Sequence, residues 1–229
     1  MSGKGRGLGI AAVAVGLVGL LLGLGGAGLG RYVYGGAVMN GGSMAPTYGT
    51  GDRVVYERGD GSTVRRGDVV VFTAPERYGF DGLVVARVIG VGGDRVACCT
   101  GTDLGGRGSG RVTVDGTPLQ EPYLRGRAAN GGLAPYDVRV PEGRLFLLGD
   151  NRANSRDSRV FPDDHGGTLP VSAVRGRVVG GALVPVVLGS AMLLGVVLVL
   201  VGVGLGIAAV VVRRRPRAAV PPPPPVVRA

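Results

Sequence analysis

The sequence predicts a mainly β domain flanked by one transmembrane helix at each end, and three observations predict it. Residues 7–30 carry no charge before Arg31, and residues 180–212 carry none before Arg213. A bilayer core takes about 20 apolar residues of helix, and both runs meet that length. Between them, short β-branched segments alternate with glycine-rich turns, a spacing that fits a barrel or sandwich better than alternating β and α units. The charges are sorted as well: all sixteen Asp and Glu residues lie between the two apolar runs.

Taken in order, residues 1–6 form a basic N-terminus and 7–30 the first span. Lys4 and Arg6 before an apolar run also suit a cleavable signal peptide, but this run is long for one and no clean small-residue cleavage site follows, so a retained anchor is expected. Residues 31–179 form the β domain, and 180–212 the second span. Pro185 and several glycines interrupt that span, as transmembrane helices tolerate. Two buried core helices are the alternative, disfavoured because uncharged runs this long rarely suit a domain this small. Residues 213–229 form a basic, proline-rich tail in which the run 221–225 is expected to be extended. Lys4 and Arg6 precede the first span, and Arg213, Arg214, Arg215 and Arg217 follow the second. Under the positive-inside rule both termini are then cytoplasmic and the domain extracytoplasmic. The net charge of +10 is no sign of nucleic acid, since seven basic residues sit in the tails, where a lipid bilayer is the natural partner.

Within the domain, strands are expected at 52–58, 68–73, 83–91, 95–98, 111–114, 138–140, 144–148 and 174–179. Asp115–Gly116 suits a tight hairpin turn, and the loops 78–82 and 100–110 read as mobile. Cys98 and Cys99 are adjacent, and neighbouring strand residues point to opposite faces, which opposes an ordinary disulfide. Structural thiols, a vicinal bridge and an intermolecular bridge all stay open. With one histidine and no other cysteine, neither metal nor cofactor is expected.

The first site candidate is Asn40-Gly41-Gly42-Ser43-Met44-Ala45-Pro46-Thr47, about ten residues past the first span. Glycines ahead of a serine let the backbone approach a ligand and leave its N–H groups free to donate. Read alone, this is equally a turn with an exposed serine. Three further segments change the balance: Arg66 to Phe72; Ala86 to Val96, with Val88-Ile89-Gly90 and Gly93-Asp94-Arg95-Val96; and Gly149-Asp150-Asn151-Arg152-Ala153-Asn154-Ser155-Arg156-Asp157-Ser158-Arg159. In this order they resemble the motifs of the type I signal peptidases, membrane-bound serine endopeptidases of the bacterial cell membrane that remove signal peptides from exported proteins. The resemblance extends through Val114 to Tyr123 and covers the whole domain.

It implies a signal-peptidase-like antiparallel β-sheet domain with an apolar surface against the bilayer. Ser43 matches the nucleophile, which would attack the carbonyl after a small residue of an extended signal peptide, with its own N–H as one oxyanion donor. Some members carry a hydroxyl donor two residues earlier; here that residue is Gly41. Ser155 matches the residue that orients the base, and Asp157 with Arg159 a charged pair holding the site together. Met44 and Arg87 belong to the matched motifs and are expected to support the site, while Asp150 and Arg152 support the turn. Surface ion pairs in a tight loop are the plain alternative for these charged residues.

One residue departs from the pattern. The family's general base is a lysine immediately before the arginine of the second strand motif, and here that residue is Ala86. The flanking motifs fix the register, and the chain's single lysine, Lys4, lies before the first span. A bias toward arginine would have replaced lysine by arginine, so composition does not account for alanine. A methyl group accepts no proton, so the serine–lysine dyad is absent. Arg87 stays protonated, and Asp157 paired with Arg159 would be a poor base. The one imidazole, His165, is a substitute base by chemistry, although a solvent-facing loop histidine beside Asp163 and Asp164 is the favoured reading. The expected function is therefore signal-peptide removal. The alternative is a silent relative that binds signal peptides or a partner peptidase.

Overall fold

The computed structural model describes residues 3–99, 110–124, 129–180 and 183–214. In chain order these form α1 (Gly3–Val33), β1 (Tyr34–Val38), β2 (Arg53–Arg58), β3 (Val69–Phe72), the single turn α2 (Pro75–Tyr78), β4 (Val84–Val91), β5 (Arg95–Cys98) and β6 (Val112–Val114). They continue with β7 (Thr117–Pro118), β8 (Tyr136–Arg139), β9 (Arg144–Leu148), β10 (Leu169–Pro170), β11 (Val174–Val178) and α3 (Leu183–Arg214). The proline run 221–225 and nearly all of the expected mobile loop 100–110 lie outside the described residues. Two units result: residues 1–30 with 183–229, and residues 31–182.

In the first unit, α1 and α3 carry stretches of mean hydropathy 2.4 (Arg6–Val33) and 2.9 (Val186–Arg214). Leu21, Leu24, Leu193 and Leu200 all face outward. Apolar side chains turned out over this length suit lipid rather than water. The helices meet through glycine. A Cβ on Gly195 would lie 2.6 Å from the Gly23 backbone nitrogen, and one on Gly202 would lie 2.9 Å from the Ala12 carbonyl oxygen. Such contacts need residues without side chains, the usual basis of close packing between membrane helices. Residue 185 falls in the first turn of α3, where backbone N–H groups have no intrahelical partner and proline costs little.

The second unit is built from antiparallel sheets. One has seven strands in the order β1-β2-β11-β3-β4-β9-β10, and the other four in the order β7-β6-β5-β8. Every residue of β3 is buried, as a central valine-rich strand requires. β4 is paired on both sides and shifts register between Val88 and Gly90. At Gly90 a side chain would overlap Val96, so the glycine lets β4 lie close against the smaller sheet. Three apolar clusters fill the unit. One joins Ile89 and Phe146 to the smaller sheet; a second holds Val70, Phe72, Ala86, Val88, Leu145 and Leu147; a third holds Met39, Met44, Val54, Tyr56, Val71 and Val85.

The expected strands at 52–58, 68–73, 83–91, 95–98, 111–114, 144–148 and 174–179 each contain an observed strand. The one read at 138–140 begins two residues earlier, at Tyr136, opposite Cys98. β1, β7 and β10 were not anticipated. Asp115 and Gly116, at φ 52° and 78°, make the tight turn between β6 and β7. Cys98 and Cys99 form a vicinal disulfide. Cys99 sits at φ 67°, so strand alternation no longer separates its side chain from that of Cys98.

Candidate active site

Ser43 lies in a turn that leaves edge strand β1 and is pinned at its base. Met39 N–H donates to the Asp52 carbonyl (2.9 Å), and Gly51 N–H donates to that of Met39 (2.8 Å). The next residue, Met44, is fully buried in the third apolar cluster, so Ser43 is held half-exposed at the rim of the sheet. The Ala45–Pro46 peptide is cis.

The loop after β9 closes over this turn. Asn151 donates its backbone N–H to the Ser43 carbonyl (2.9 Å) and its side-chain amide to the Gly42 carbonyl (3.0 Å). Gly149 is where the parts meet. A Cβ there would overlap Ser155 Oγ and come within 2.6 Å of the Ser43 carbonyl oxygen. Ser43 and Ser155 are therefore gathered at one glycine, though they lie far apart in sequence. Arg87 pairs with Leu148 at the end of the β4–β9 ladder, so Ala86 is the next residue of β4 beyond that last pair and Gly149 the first residue after β9.

A buried ionic frame holds the loop. Arg159 grips Asp157 with two bonds of 2.7 Å and donates to the carbonyls of Asn130 (2.6 Å) and Arg152 (3.0 Å). Asp157 also accepts from Gly149 N–H (3.0 Å), which ties the pair directly to the site. The two side chains are 1% and 2% exposed, so this is no surface ion pair. Arg152 donates to the Gly149 (3.0 Å) and Ala129 (2.7 Å) carbonyls and pairs with Glu121. On the other flank, Asp150 accepts from Thr47 Oγ1 (2.5 Å) and from Arg87 Nε (2.8 Å) and Nη2 (2.6 Å). The Arg87 guanidinium stacks 3.9 Å from the Tyr123 ring. Burial opposes this cation, but the Asp150 hydrogen bonds and charge outweigh it and keep Arg87 above its ordinary value.

Position 86 carries no proton acceptor, and the titratable groups described around this turn are otherwise engaged. Ala86 is 3% exposed among Val70, Phe72, Val88, Leu145 and Leu147. Burial raises the phenols of Tyr48 and Tyr123 above their ordinary range, so both are protonated at neutral pH. Arg87 and Asp157 are committed to their partners. The His165 imidazole is 65% exposed and its Nδ1 bonds Asp164 Oδ1 at 2.7 Å. Its neighbours across a cleft are Arg77 and Arg144, not the serines. Among the described residues, no hydrogen bond engages Ser43 Oγ or Ser155 Oγ.

Sequence reading missed the contributions of Thr47, Gly149, Asn151, Tyr123 and Glu121. Thr47, Gly149 and Asn151 lie inside the matched motifs, but their roles are contacts across 100 residues or more of chain, which no local pattern carries.

The family model described as signal peptidase, peptidase S26, matches residues 11–181. The chain is 35% identical over 143 residues to a probable signal peptidase I of Mycobacterium leprae, covering 50% of this chain and 47% of that one. It is 34% identical over 161 residues to the signal peptidase I of Bacillus caldolyticus, covering 64% and 78%. It thus spans about half the length of the mycobacterial relative and over three quarters of the bacillary one. A crystal structure of a signal peptidase I from Enterococcus faecalis aligns at 24% identity and TM-score 0.37, over 52% of this chain and 98% of that one. With the family model covering most of its length, this membrane-anchored chain belongs to the signal peptidase family, peptidase S26.

Proposed function

We infer that this chain is a signal peptidase I-type serine endopeptidase that removes signal peptides after small residues, with Ser43 as nucleophile and turnover limited by the missing base at Ala86. The meeting of Ser43 and Ser155 at Gly149, just past the end of the ladder that β4 makes with β9, supports this reading. β1 pairs only with β2 among the described strands, so its outer edge is available to an extended peptide. Strand addition there would lead the peptide toward Ser43, five residues past the end of β1. The basic residues outside both spans support cytoplasmic termini and an extracytoplasmic domain.

In the reaction, Ser43 Oγ bonds to the scissile carbonyl carbon, the carbonyl π pair moves to oxygen, and the hydroxyl proton must leave. With a methyl group at 86 that proton goes to solvent, which is slow. Ala86 also favours a second reading, in which the groove binds signal peptides without cutting them. The test is cleavage of a signal-peptide substrate by the full chain in detergent, with Ser43→Ala as control. Slow cleavage lost in Ser43→Ala supports the first reading. Binding without cleavage, persisting after Ala86→Lys, supports the second, and cleavage unaffected by Ser43→Ala overturns the nucleophile.

A further inference from the structure

We propose that the side-chain amide of Asn154 is the second oxyanion donor of this site, standing in for the side chain that Gly41 lacks. The proposal rests on the reading of Ser43 as nucleophile and names a group that the matched motif does not assign. Backbone N–H alone gives one donor, and a tetrahedral oxyanion in a partly buried site is best held by two. At Gly41 there is no side chain, and a Cβ would meet nothing within 4 Å. One residue on, a Cβ at Gly42 would lie 3.3 Å from Asn154 Nδ2. The Asn154 amide therefore stands beside the residue that precedes Ser43.

The frame beneath this amide is fixed while the amide itself is unused. Asn154 closes a short 3-10 helix, Arg152–Asn154, and its N–H donates to the Asn151 carbonyl (2.9 Å). Arg152 anchors that helix in the interior. Asn151 spends its own amide on the Gly42 carbonyl. In a trans peptide the C=O and N–H point oppositely, so this bond turns the Ser43 N–H away from Asn151. Among the described residues, neither that N–H nor the Asn154 side chain makes a hydrogen bond, and Asn154 is exposed. Two asparagines three apart thus divide the work: Asn151 builds the turn, and Asn154 holds a donor ready over it. A methyl group at Gly42 would press on that amide and shift it by a few tenths of an ångström.

The chemistry asks for nothing further. As Ser43 Oγ bonds to the carbonyl carbon, the π pair becomes an oxyanion that accepts from Ser43 N–H and Asn154 Nδ2–H, and the serine proton leaves to solvent. A peptide ending in a small aminoboronic acid copies this state without needing a base. Its trigonal boron bonds Ser43 Oγ, the proton passes to buffer, and the anionic tetrahedral boronate presents a hydroxyl to the donors.

The experiment compares Kd for the boronate peptide and its carboxamide twin on the detergent-solubilised full chain. Wild type is expected to prefer the boronate by about 10²-fold or more, as transition-state analogues do. Asn154→Ala should lose most of that preference, consistent with about 10²–10³-fold per donor, with carboxamide affinity unchanged to show that the site is folded. Asn154→Asp, which replaces the donor by an acceptor, should behave like alanine, and Asn154→Gln should recover part. A boronate preference undiminished in Asn154→Ala, or absent from wild type, overturns the proposal. A preference that survives Ser43→Ala instead identifies the nucleophile reading as the part that fails.

Discussion

On one side of Gly149, the loop from Asp150 to Arg159 buries four ionised side chains and satisfies each of them. On the other side, across the β4–β9 ladder, Ala86 offers only a methyl group to an apolar cluster. Burying a charge costs several kcal/mol unless partners repay it, so the loop is an expensive construction whose product is the placement of Ser43 and Ser155. The apolar side is inexpensive, and alanine suits it well. A proton acceptor can therefore be absent from position 86 without disturbing the scaffold opposite. On the proposed reading, positioning and proton transfer are separable because different walls would supply them.

The sharpest way to break this contrast is to refill the empty wall. In Ala86→Lys the side chain would leave the backbone within the apolar cluster of Val70, Phe72 and Leu147, and desolvation there should lower the amine's pKa below the usual range near 10.4. General-base catalysis then predicts a gain of about 10²–10⁴-fold in kcat/KM. Only the neutral amine accepts a proton, so the variant's activity should rise with pH and level off above that lowered pKa, as a pH–rate profile would record. The reverse operation, on the ionic wall, is Asp157→Ala. It leaves Arg159 buried without its carboxylate and should cost about 3–5 kcal/mol. A thermal melt should show this as a Tm about 10 °C lower. Gly149→Ala strikes the junction itself, since its Cβ would overlap Ser155 and crowd the Ser43 carbonyl. The expected cost is about 1–3 kcal/mol, with weakened peptide binding measurable by titration.

The smallest effect concerns an ion pair outside the site and calibrates the buried ones. The Arg77 hydrogen bond first, then that of His165, lowers the Asp164 carboxyl from 3.8 to about 2. A depressed carboxyl stabilises the fold fully above its unfolded pKa, so this contribution is complete above pH about 4 and disappears as pH falls through about 2. Asp164 is 46% exposed, so solvent screens the pair and the stability change is slight beside that of Asp157→Ala. Carboxyl NMR titration should show its midpoint returning toward 3.8 in Arg77→Ala.

Much of this arrangement is legible in the sequence, but unevenly. The spans are visible because absence of charge over a helix length has few other uses, and most strands because β-branched runs end in glycine. β1 was hidden because Gly35 and Gly36 look like a linker. Gly35 is required where the Tyr56 side chain lies against the strand and leaves no room for a Cβ. β10 was hidden because it is two residues long and ends in Pro170, tolerated at a sheet edge. In the candidate site, Ser43, Ala86 and Ser155 are expected from motif order. That Ser43 and Ser155 meet at Gly149, and that Ala86 joins an apolar cluster, depends on strand register and chain folding, which residue types do not encode locally. The sequence left His165 open as a base; the structure turns it toward Asp164 and solvent.

The most direct measurement of the central claim is kcat/KM for one signal-peptide substrate, in detergent, for wild type, Ala86→Lys and Ala86→Lys with Ser43→Ala. The account predicts slow wild-type cleavage, a gain of about 100-fold or more on restoring lysine, and loss of that gain without Ser43. Fast wild-type turnover that Ala86→Lys leaves unchanged would contradict it, because the site would then hold a proton acceptor other than residue 86.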